Sequence, residues 1–558
     1  MLIGIDVGGT FTDGILCSEG RILKTAKHPT KEDDLQDSIF AVLDELLQGV
    51  KGSAIKHVVL STTLVTNLLA SGGGDPAALI LIPGPGLNWR QRELFPHTYI
   101  ADGATDFRGR IIEPLNQAQI EEFGKLITAA GIRKVAVVGK FSQRNSSQER
   151  QVGEILQERH PDLEVIRGFE VSGQLNFPRR AVTAYYTAVT REKWAGFAAS
   201  IKKAIGERGI ASPINILKAD GGTMPLETSL NYPCETVFSG PAASVMGAFA
   251  LTMDRQTSVV VDIGGTTTDL GLILEGKPLY ASRGALIDGR YTHVRSFAVR
   301  SLALGGDSAV RWSGDRITLG PDRLGPAACF GGPAATPTDA FNVLEGGKLG
   351  HLELSLRALE KVSSPAGRTP EELARMIVSQ VNRQLQDGIK EMFKSWEQEP
   401  AYKIWEIVNK RPVKPDRVVG IGAAAAAFIP ALAEQLGCRP LVHRYSPVAN
   451  ALGAAVARPT LSLLLHADTE RQSYYLNLDG VSGKFSSSWQ LEDAKELARE
   501  QLRAIAEKRG IGRYADYHEF FMEEQFNMIR GWSTTGKLFD VGVQIASGII
   551  DEFKGVQP

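Results

Sequence analysis

Cysteine is scarce in this sequence: its 558 residues contain four, Cys17, Cys234, Cys329 and Cys438. They lie far apart and form no C-x-x-C pair, so neither a disulfide framework nor a zinc or iron-sulfur site is expected, and a reducing compartment fits. An excess of charge of one sign is missing as well. The net charge of -1 gives no reason to expect a nucleic acid or an acidic membrane surface as a bulk partner, so any anion must be held locally. Long apolar runs are absent, and candidates such as Ala423 to Ala433 are too short or are broken by Pro430, which excludes a membrane span. The N-terminus enters a strand-like segment, Met1 to Val7, without a basic leader, an apolar stretch or a cleavage site, and reads as that of a cytoplasmic protein. The histidines show no H-x-x-x-H or similar ligand spacing, so a dedicated transition-metal site has no support. Two phosphate signatures are missing too: G-x-x-x-x-G-K-[ST], and G-x-G-x-x-G opening a helix after a strand.

What remains is an ordinary globular balance, 43% hydrophobic and 22% charged, in a chain too long for one core, so two or more domains are expected. An internal repeat organises it. Asp6-Val-Gly-Gly-Thr-Phe-Thr-Asp13 is matched by Asp262-Ile-Gly-Gly-Thr-Thr-Thr-Asp269, with six of eight positions identical. Each copy follows a short β-branched apolar run and precedes another, which predicts strand, tight turn, strand in both halves. Adjacent glycines let a backbone approach closely and aim N–H groups at a phosphate. Gly8, Gly9, Thr10 and Thr12, with Gly264, Gly265, Thr266 and Thr268, are therefore the candidate phosphate contacts. A carboxylate at a strand end repels phosphate but can hold Mg2+ directly or through water, a role assigned to Asp6 and Asp262. Asp13 and Asp269 either orient a water or cap their own turns; Asp262 is the first choice if one carboxylate must also act as a base. A single D-x-G-G-T can be a plain hairpin turn; two near-identical copies favour a clamp on a triphosphate.

A third glycine-rich turn, Gly420-Ile-Gly422-Ala423, follows the apolar residues Val418 and Val419 and opens an alanine-rich helix-like stretch ended by Gly437. By itself this describes any tightly packed βα unit. Near the C-terminus, Ala494, Leu497, Ala498, Leu502 and Ile505 fall at helical spacing within Glu492 to Lys508 and predict one amphipathic helix, followed by strands.

Taken in order, several blocks resemble the hydantoinase A, 5-oxoprolinase and acetone carboxylase β-subunit family over nearly the whole chain. They include IGIDVGGTFTD, STTLVTNLL from Ser61, VAVVGKFSQRNSSQER from Val135, VSGQLNFPRRAVTAYYTAVT from Val171, ADGGTMPLE from Ala219, FSGPAASVMGA from Phe238 and VVVDIGGTTTDLGLI. LGPDRLGPAACFGGPAATPTDAFNVLEG from Leu319 follows. The sequence departs from the family pattern at Leu60 and Ser61, where members usually show His-Gly, and at the Gly420 turn, which has no proline.

The resemblance implies an α/β fold of two actin-like, ribonuclease H-like lobes with an ATP cleft between them and a small C-terminal α+β appendage. The expected boundaries are residues 1–180, 181–459 and 460–558. It further implies ATP and Mg2+ as cofactors, with Gly305, Gly306, Gly420, Gly422 and Ala423 on the nucleotide. The organic substrate is expected near Thr62, Thr63, Thr66, Asn67, Asp307 and Ser308, although Thr66 and Asn67 equally suit a helix cap. Thr336, Thr338, Asp339 and Asn342 either line the same cleft or cap a helix. Cys329 has no nameable partner and is read as a small buried hydrophobe. The activity implied is ATP-dependent opening of a cyclic amide or imide by phosphorylation of its carbonyl oxygen. A ketone carboxylase subunit, a small-molecule kinase and a non-catalytic actin-like regulator are the alternatives. A hydantoinase B-like subunit or a homo-oligomer is the partner implied.

Overall fold

The computed structural model describes residues 1–31, 35–313, 316–398, 414–478, 481–486 and 488–557. Two mixed sheets carry the repeat. In the first, the strands lie in the order Thr223–Pro225, Ile214–Leu217, His57–Thr62, Leu2–Val7, Phe11–Ser18, Arg21–Pro29. The last three form an antiparallel meander, whereas Leu2–Val7, His57–Thr62 and Ile214–Leu217 run parallel. The second sheet repeats this plan. Lys277–Pro278, Thr268–Leu274 and Ser258–Ile263 are antiparallel, and Ser258–Ile263 continues in parallel to Arg417–Ile421 and Arg439–Val442. The molecule is thus an α/β protein of two actin-like, ribonuclease H-like lobes.

The period-two alternation of the strands decides what each face meets. Ile3, Ile5 and Val7 point to a core shared with Ile39, Val42, Leu43 and Leu46 of the Leu35–Leu47 helix. Val259, Val261 and Ile263 do the same in the second lobe, against the Pro370–Glu397 and Ala425–Leu436 helices. Each such side chain stabilises by roughly 1.5–3 kcal/mol on full burial. The opposite faces of both sheets meet one pair of helices, Ser239–Thr252 and Ala449–Val456. These helices are rich in Ala and Gly because the backbones nearly touch. A Cβ on Gly4 would overlap the Ala451 carbonyl, one on Gly247 the Ala449 carbonyl, and one on Gly453 the Ala243 carbonyl. The helix pair is the shared floor on which both sheets rest.

Two further layers flank this frame. A parallel sheet of Ala77–Ile82, Thr98–Ile100, Lys134–Gly139 and Glu164–Arg167 has its own small core with the Gln117–Ala129 and Ser147–Arg159 helices. At the C-terminal end a five-stranded antiparallel sheet runs from Ser462–Asp468 to Ser533–Ile545. The Leu491–Lys508 helix packs on it through Ala494, Ala498, Leu502, Ile505 and Ala506, which is the apolar stripe read from the sequence. Strands Ile214–Leu217 and Thr223–Pro225 belong to the first sheet, so sheet membership does not change at residue 180. Among the described residues no helix is long and apolar enough to cross a membrane.

Candidate active site

The two repeats fold into matching hairpins. Asp6 lies directly opposite Asp13, and Asp262 directly opposite Asp269. Each turn is closed by the same bond: the Gly8 N–H donates to the Phe11 carbonyl at 3.1 Å, and the Gly264 N–H to the Thr267 carbonyl at 3.0 Å. Both hairpins face one cavity of about 520 Å³, whose wall includes all four aspartates, Gly8 to Thr10 and Gly264 to Thr266. They approach closely across it, so that a Cβ on Gly265 would lie 2.8 Å from the Thr10 hydroxyl oxygen. Glycine is required there for space.

One side chain ties the lobes together at the carboxylates. Asn450, at the start of the Ala449–Val456 helix, donates through Nδ2 to Asp262 Oδ2 at 2.9 Å and to Asp6 Oδ2 at 3.3 Å. Ser244, on the partner helix, donates to the same Asp262 oxygen at 2.5 Å. Asp6 Oδ1 is buried without a hydrogen bond. Burial pushes the Asp6 carboxyl up to about 7, with the charges of Asp13 and Asp262 adding to the effect. Asp269 is likewise raised to about 7 by burial and by Asp262. Burial also raises Asp13, against the pull of Lys27, whose ammonium sits 2.5 Å from its carboxylate.

So many carboxyls pressed together call for a cation. All the donors are hard oxygens, and Asp6 Oδ1 is an orphaned acceptor in the cavity wall, which suits Mg2+. No group of three or more His, Cys, Asp or Glu is arranged to hold a metal among the described residues. A cation here therefore needs ligands brought by a bound anion and by water, the usual coordination of Mg2+ on phosphates. The turns supply backbone donors for that anion.

The remaining expected residues divide in two. Thr63, Gly306, Asp307, Gly422 and Ala423 line the cavity. Gly422 has φ +89 and faces the Ile263 carbonyl, which leaves no room for a side chain. The Gly306 and Asp307 N–H groups donate to the Gly264 and Gly265 carbonyls at 2.9 and 2.8 Å, stitching that loop to the second hairpin. Arg323 pairs with Asp307 at 3.2 Å.

Thr12, Thr268, Gly305, Gly420, Thr62, Thr66, Asn67 and Ser308 are not in the wall. Thr12 is buried against the Thr30 hydroxyl, and the Thr268 hydroxyl donates to the Leu304 carbonyl. Ser308 accepts from the Gly305 N–H. A Cβ on Gly305 would overlap the Gly265 carbonyl, and one on Gly420 the Ile429 side chain. Thr62 is bound through its backbone to the Ser239 hydroxyl, and the Thr66 hydroxyl accepts from the Phe238 N–H. The Asn67 N–H closes the first turn of the Leu64–Ala70 helix on Thr63. These groups hold the site's elements rather than face its contents.

Thr336 and Asp339 form the capping box of the Pro337–Leu344 helix, and Asn342 fastens the following loop, while Thr338 reaches the cavity wall. Burial pushes the Cys329 thiol up to about 12, which keeps it protonated and inert. Sequence reasoning passed over Lys27, Ser244 and Asn450. A signal existed for Asn450, the only strongly polar residue in the helix ANALGAAV.

A family model described as hydantoinase/oxoprolinase matches residues 180–462, and one described as the hydantoinase/oxoprolinase N-terminal region matches residues 2–160. The caprolactamase subunit alpha of Pseudomonas jessenii is 23% identical over 481 residues, 78% of this chain and 67% of that protein. The acetophenone carboxylase gamma subunit of Aromatoleum aromaticum is 25% identical over 455 residues, 70% of this chain and 60% of that protein. The matches span from 29% to 67% of the lengths of the curated relatives, so the chain covers about two thirds of them or less. Among solved structures, nucleotide-free acetone carboxylase superposes with a TM-score of 0.72 at 18% identity, over 99% of this chain and 88% of that one.

Proposed function

The chain belongs to the hydantoinase/oxoprolinase family, and on that premise we propose that it binds ATP with Mg2+ between its two hairpins and uses it to open a cyclic amide or imide. The observation that carries this reading is the pair of Asp-Gly-Gly-Thr hairpins, in identical register, facing one cavity from two lobes. Relatives named caprolactamase and 5-oxoprolinase supply the substrate class, a lactam.

In this reading Asp6 and Asp262 would hold Mg2+ directly or through water, and the cation would cancel phosphate charge. The backbone N–H groups of Gly9, Thr10, Gly265 and Thr266 face the phosphates, and Gly422 and Ala423 face the nucleoside. ATP supplies an electrophilic phosphorus, and phosphoryl transfer asks of the protein chiefly positioning and charge cancellation. The lactam oxygen takes the phosphoryl group and ADP leaves; water adds to the activated carbon, the C–N bond breaks to leave an amine and an acyl phosphate, and a second water hydrolyses that acyl phosphate to the amino acid and phosphate. Asp262 already accepts two hydrogen bonds on one oxygen and is kept for the cation. Asp269, held at about 7, is the carboxyl poised to exchange a proton at neutral pH.

A second reading keeps the first half of the chemistry: phosphorylation of a ketone enolate ahead of carboxylation, as the acetophenone carboxylase relative suggests. Relatives named as subunits of larger enzymes favour a second chain as partner. The test is ADP release from the purified protein, with and without a B-like subunit, over a panel of 5-oxoproline, hydantoin, caprolactam and acetophenone with bicarbonate. Stimulation by a lactam without bicarbonate supports the leading reading; bicarbonate-dependent turnover with the ketone alone replaces it. Turnover that responds to neither ring nor ketone sinks both.

A further inference from the structure

A second cavity, of about 100 Å³, lies at the same carboxyl edge of the first sheet, beside the turn after strand Ile214–Leu217. Ile216 pairs with Leu60, and Asp6 with Ser61, so this strand end is two strand spacings, roughly 10 Å, from Asp6. Its turn reads Asp220-Gly-Gly-Thr223, without the residue that separates aspartate from the glycines in the two hairpins, and it is built differently. Its glycines are spent on packing: a Cβ on Gly221 would overlap the Phe297 ring, and one on Gly222 the Thr460 side chain. The turn cradles no anion through its backbone. Instead, charged side chains are brought into the cavity.

The balance of used and spare donors favours an anion as ligand. Both oxygens of Asp220 are occupied: Oδ1 accepts from the Gly222 N–H at 2.9 Å, and Oδ2 from Lys218 and the Thr460 hydroxyl, each at 3.1 Å. The donors are not all used. Lys218 is more than nine-tenths buried and has three N–H groups for two carboxylates, Asp220 and Glu235. Burial lowers its pKa, but those carboxylates outweigh the effect and raise it, so it is charged.

His293, equally buried, has an unpartnered Nε2. Its Nδ1 lies 2.8 Å from the Ser172 hydroxyl, whose oxygen already accepts the Gln174 N–H. When that hydroxyl donates to Nδ1, the proton of the neutral ring sits on Nε2, with the Leu175 carbonyl as the backbone acceptor beside the ring. Burial, with Arg180 and Arg179 nearby, pushes the His293 pKa down to about 3 and keeps the ring neutral. Arg295, stacked between Tyr280 and Phe521 at 4.8 and 4.5 Å, also has an unpartnered Nε. Met224, Leu461 and Phe521 supply an apolar wall. Glu170 and Glu235 also line the wall, and each is paired, with Arg167 at 3.2 Å and with Lys218 at 3.5 Å; spare donors among paired acids, next to apolar surface, suit an anion with a short hydrocarbon part.

We propose that this cavity is a binding site for a small organic carboxylate, distinct from the cavity between the hairpins, with Lys218, His293 and Arg295 directed at the carboxylate oxygens. A volume of about 100 Å³ is roughly three water molecules' share of liquid, which suits an acid of a few carbons.

The probe is propionate, titrated calorimetrically into the full chain with propylamine and inorganic phosphate as controls, with and without the ATP analogue AMP-PNP and Mg2+. The expected result is saturable propionate binding, tighter than either control and unchanged by AMP-PNP. His293→Phe removes the Nε2 donor at similar volume, and Arg295→Lys keeps the cation but removes Nε; each should weaken binding at least about tenfold with an unchanged circular dichroism spectrum. Any of four results overturns the proposal: no saturation by about 10 mM, equal binding of propylamine or phosphate, displacement by AMP-PNP, or unaltered binding in the folded variants.

Discussion

Replacing Asp6 by Asn separates what the site needs from what the fold prefers. Asp6 is 4% exposed, and without a cation its carboxyl is pushed from an ordinary 3.8 to about 7 by burial and by the neighbouring charges of Asp13 and Asp262. A raised carboxyl favours the folded state fully below pH 3.8, and that contribution is lost as pH rises to about 7. At 1.36 kcal/mol per pKa unit, the loss reaches a ceiling of about 4 kcal/mol. Asn has the same shape and carries no charge. Nucleotide-free Asp6→Asn should therefore be more stable than the parent at pH 8, by up to about 4 kcal/mol, with the difference shrinking toward zero below pH 4. Urea unfolding at pH 4, 6 and 8 measures this, and ATP turnover on the same samples should fall by two or more orders of magnitude, on the order of 3 kcal/mol of transition-state stabilisation. A variant no more stable than the parent at pH 8 would show that the Asp6 charge costs the fold nothing, and normal ATP hydrolysis would remove Asp6 from the site.

Other consequences are as direct. Asn450→Ala removes the bonds to both Asp6 and Asp262; bonds to charged groups are worth about 1.5–3 kcal/mol, so kcat/KM for ATP should drop at least about tenfold while the circular dichroism spectrum is kept. Thr10→Val should lower ATP turnover because Thr10 faces the cavity, whereas Thr12→Val should leave turnover near normal and lower the melting temperature by the loss of about 1 kcal/mol from the Thr30 bond. Gly4→Ala drives a methyl into the Ala451 carbonyl, and a thermal melt should show a cost of about 1–3 kcal/mol or a loss of soluble protein.

Much of this arrangement is legible in the residues, and the illegible part has a physical cause. The duplicated hairpins announce themselves because closely apposed tight turns demand glycine and strands demand alternation, both of which are local. The helix over Leu491–Lys508 is visible for the same reason, its apolar stripe being periodic. Which hydroxyl faces the cavity is set by neighbours distant in sequence. Thr12 and Thr268 look equivalent to Thr10 and Thr266, yet they lie on the strands that follow the turns and bond to Thr30 and to the Leu304 carbonyl. Asn450 stands 444 residues from Asp6, and its role arises only when the two lobes close on one helix pair. Likewise the strand Ile214–Leu217 pairs beside His57–Thr62 through a long crossover that no local pattern marks.

The central claim, that two matched hairpins grip one nucleotide between lobes, is tested most directly by a crystal or cryo-EM structure with AMP-PNP and Mg2+. The triphosphate is expected within hydrogen-bond reach of the Gly8 to Thr10 and Gly264 to Thr266 backbone, with the metal against Asp6 or Asp262. A nucleotide bound outside the interlobe cavity, or one touching a single hairpin with no metal near either aspartate, contradicts it.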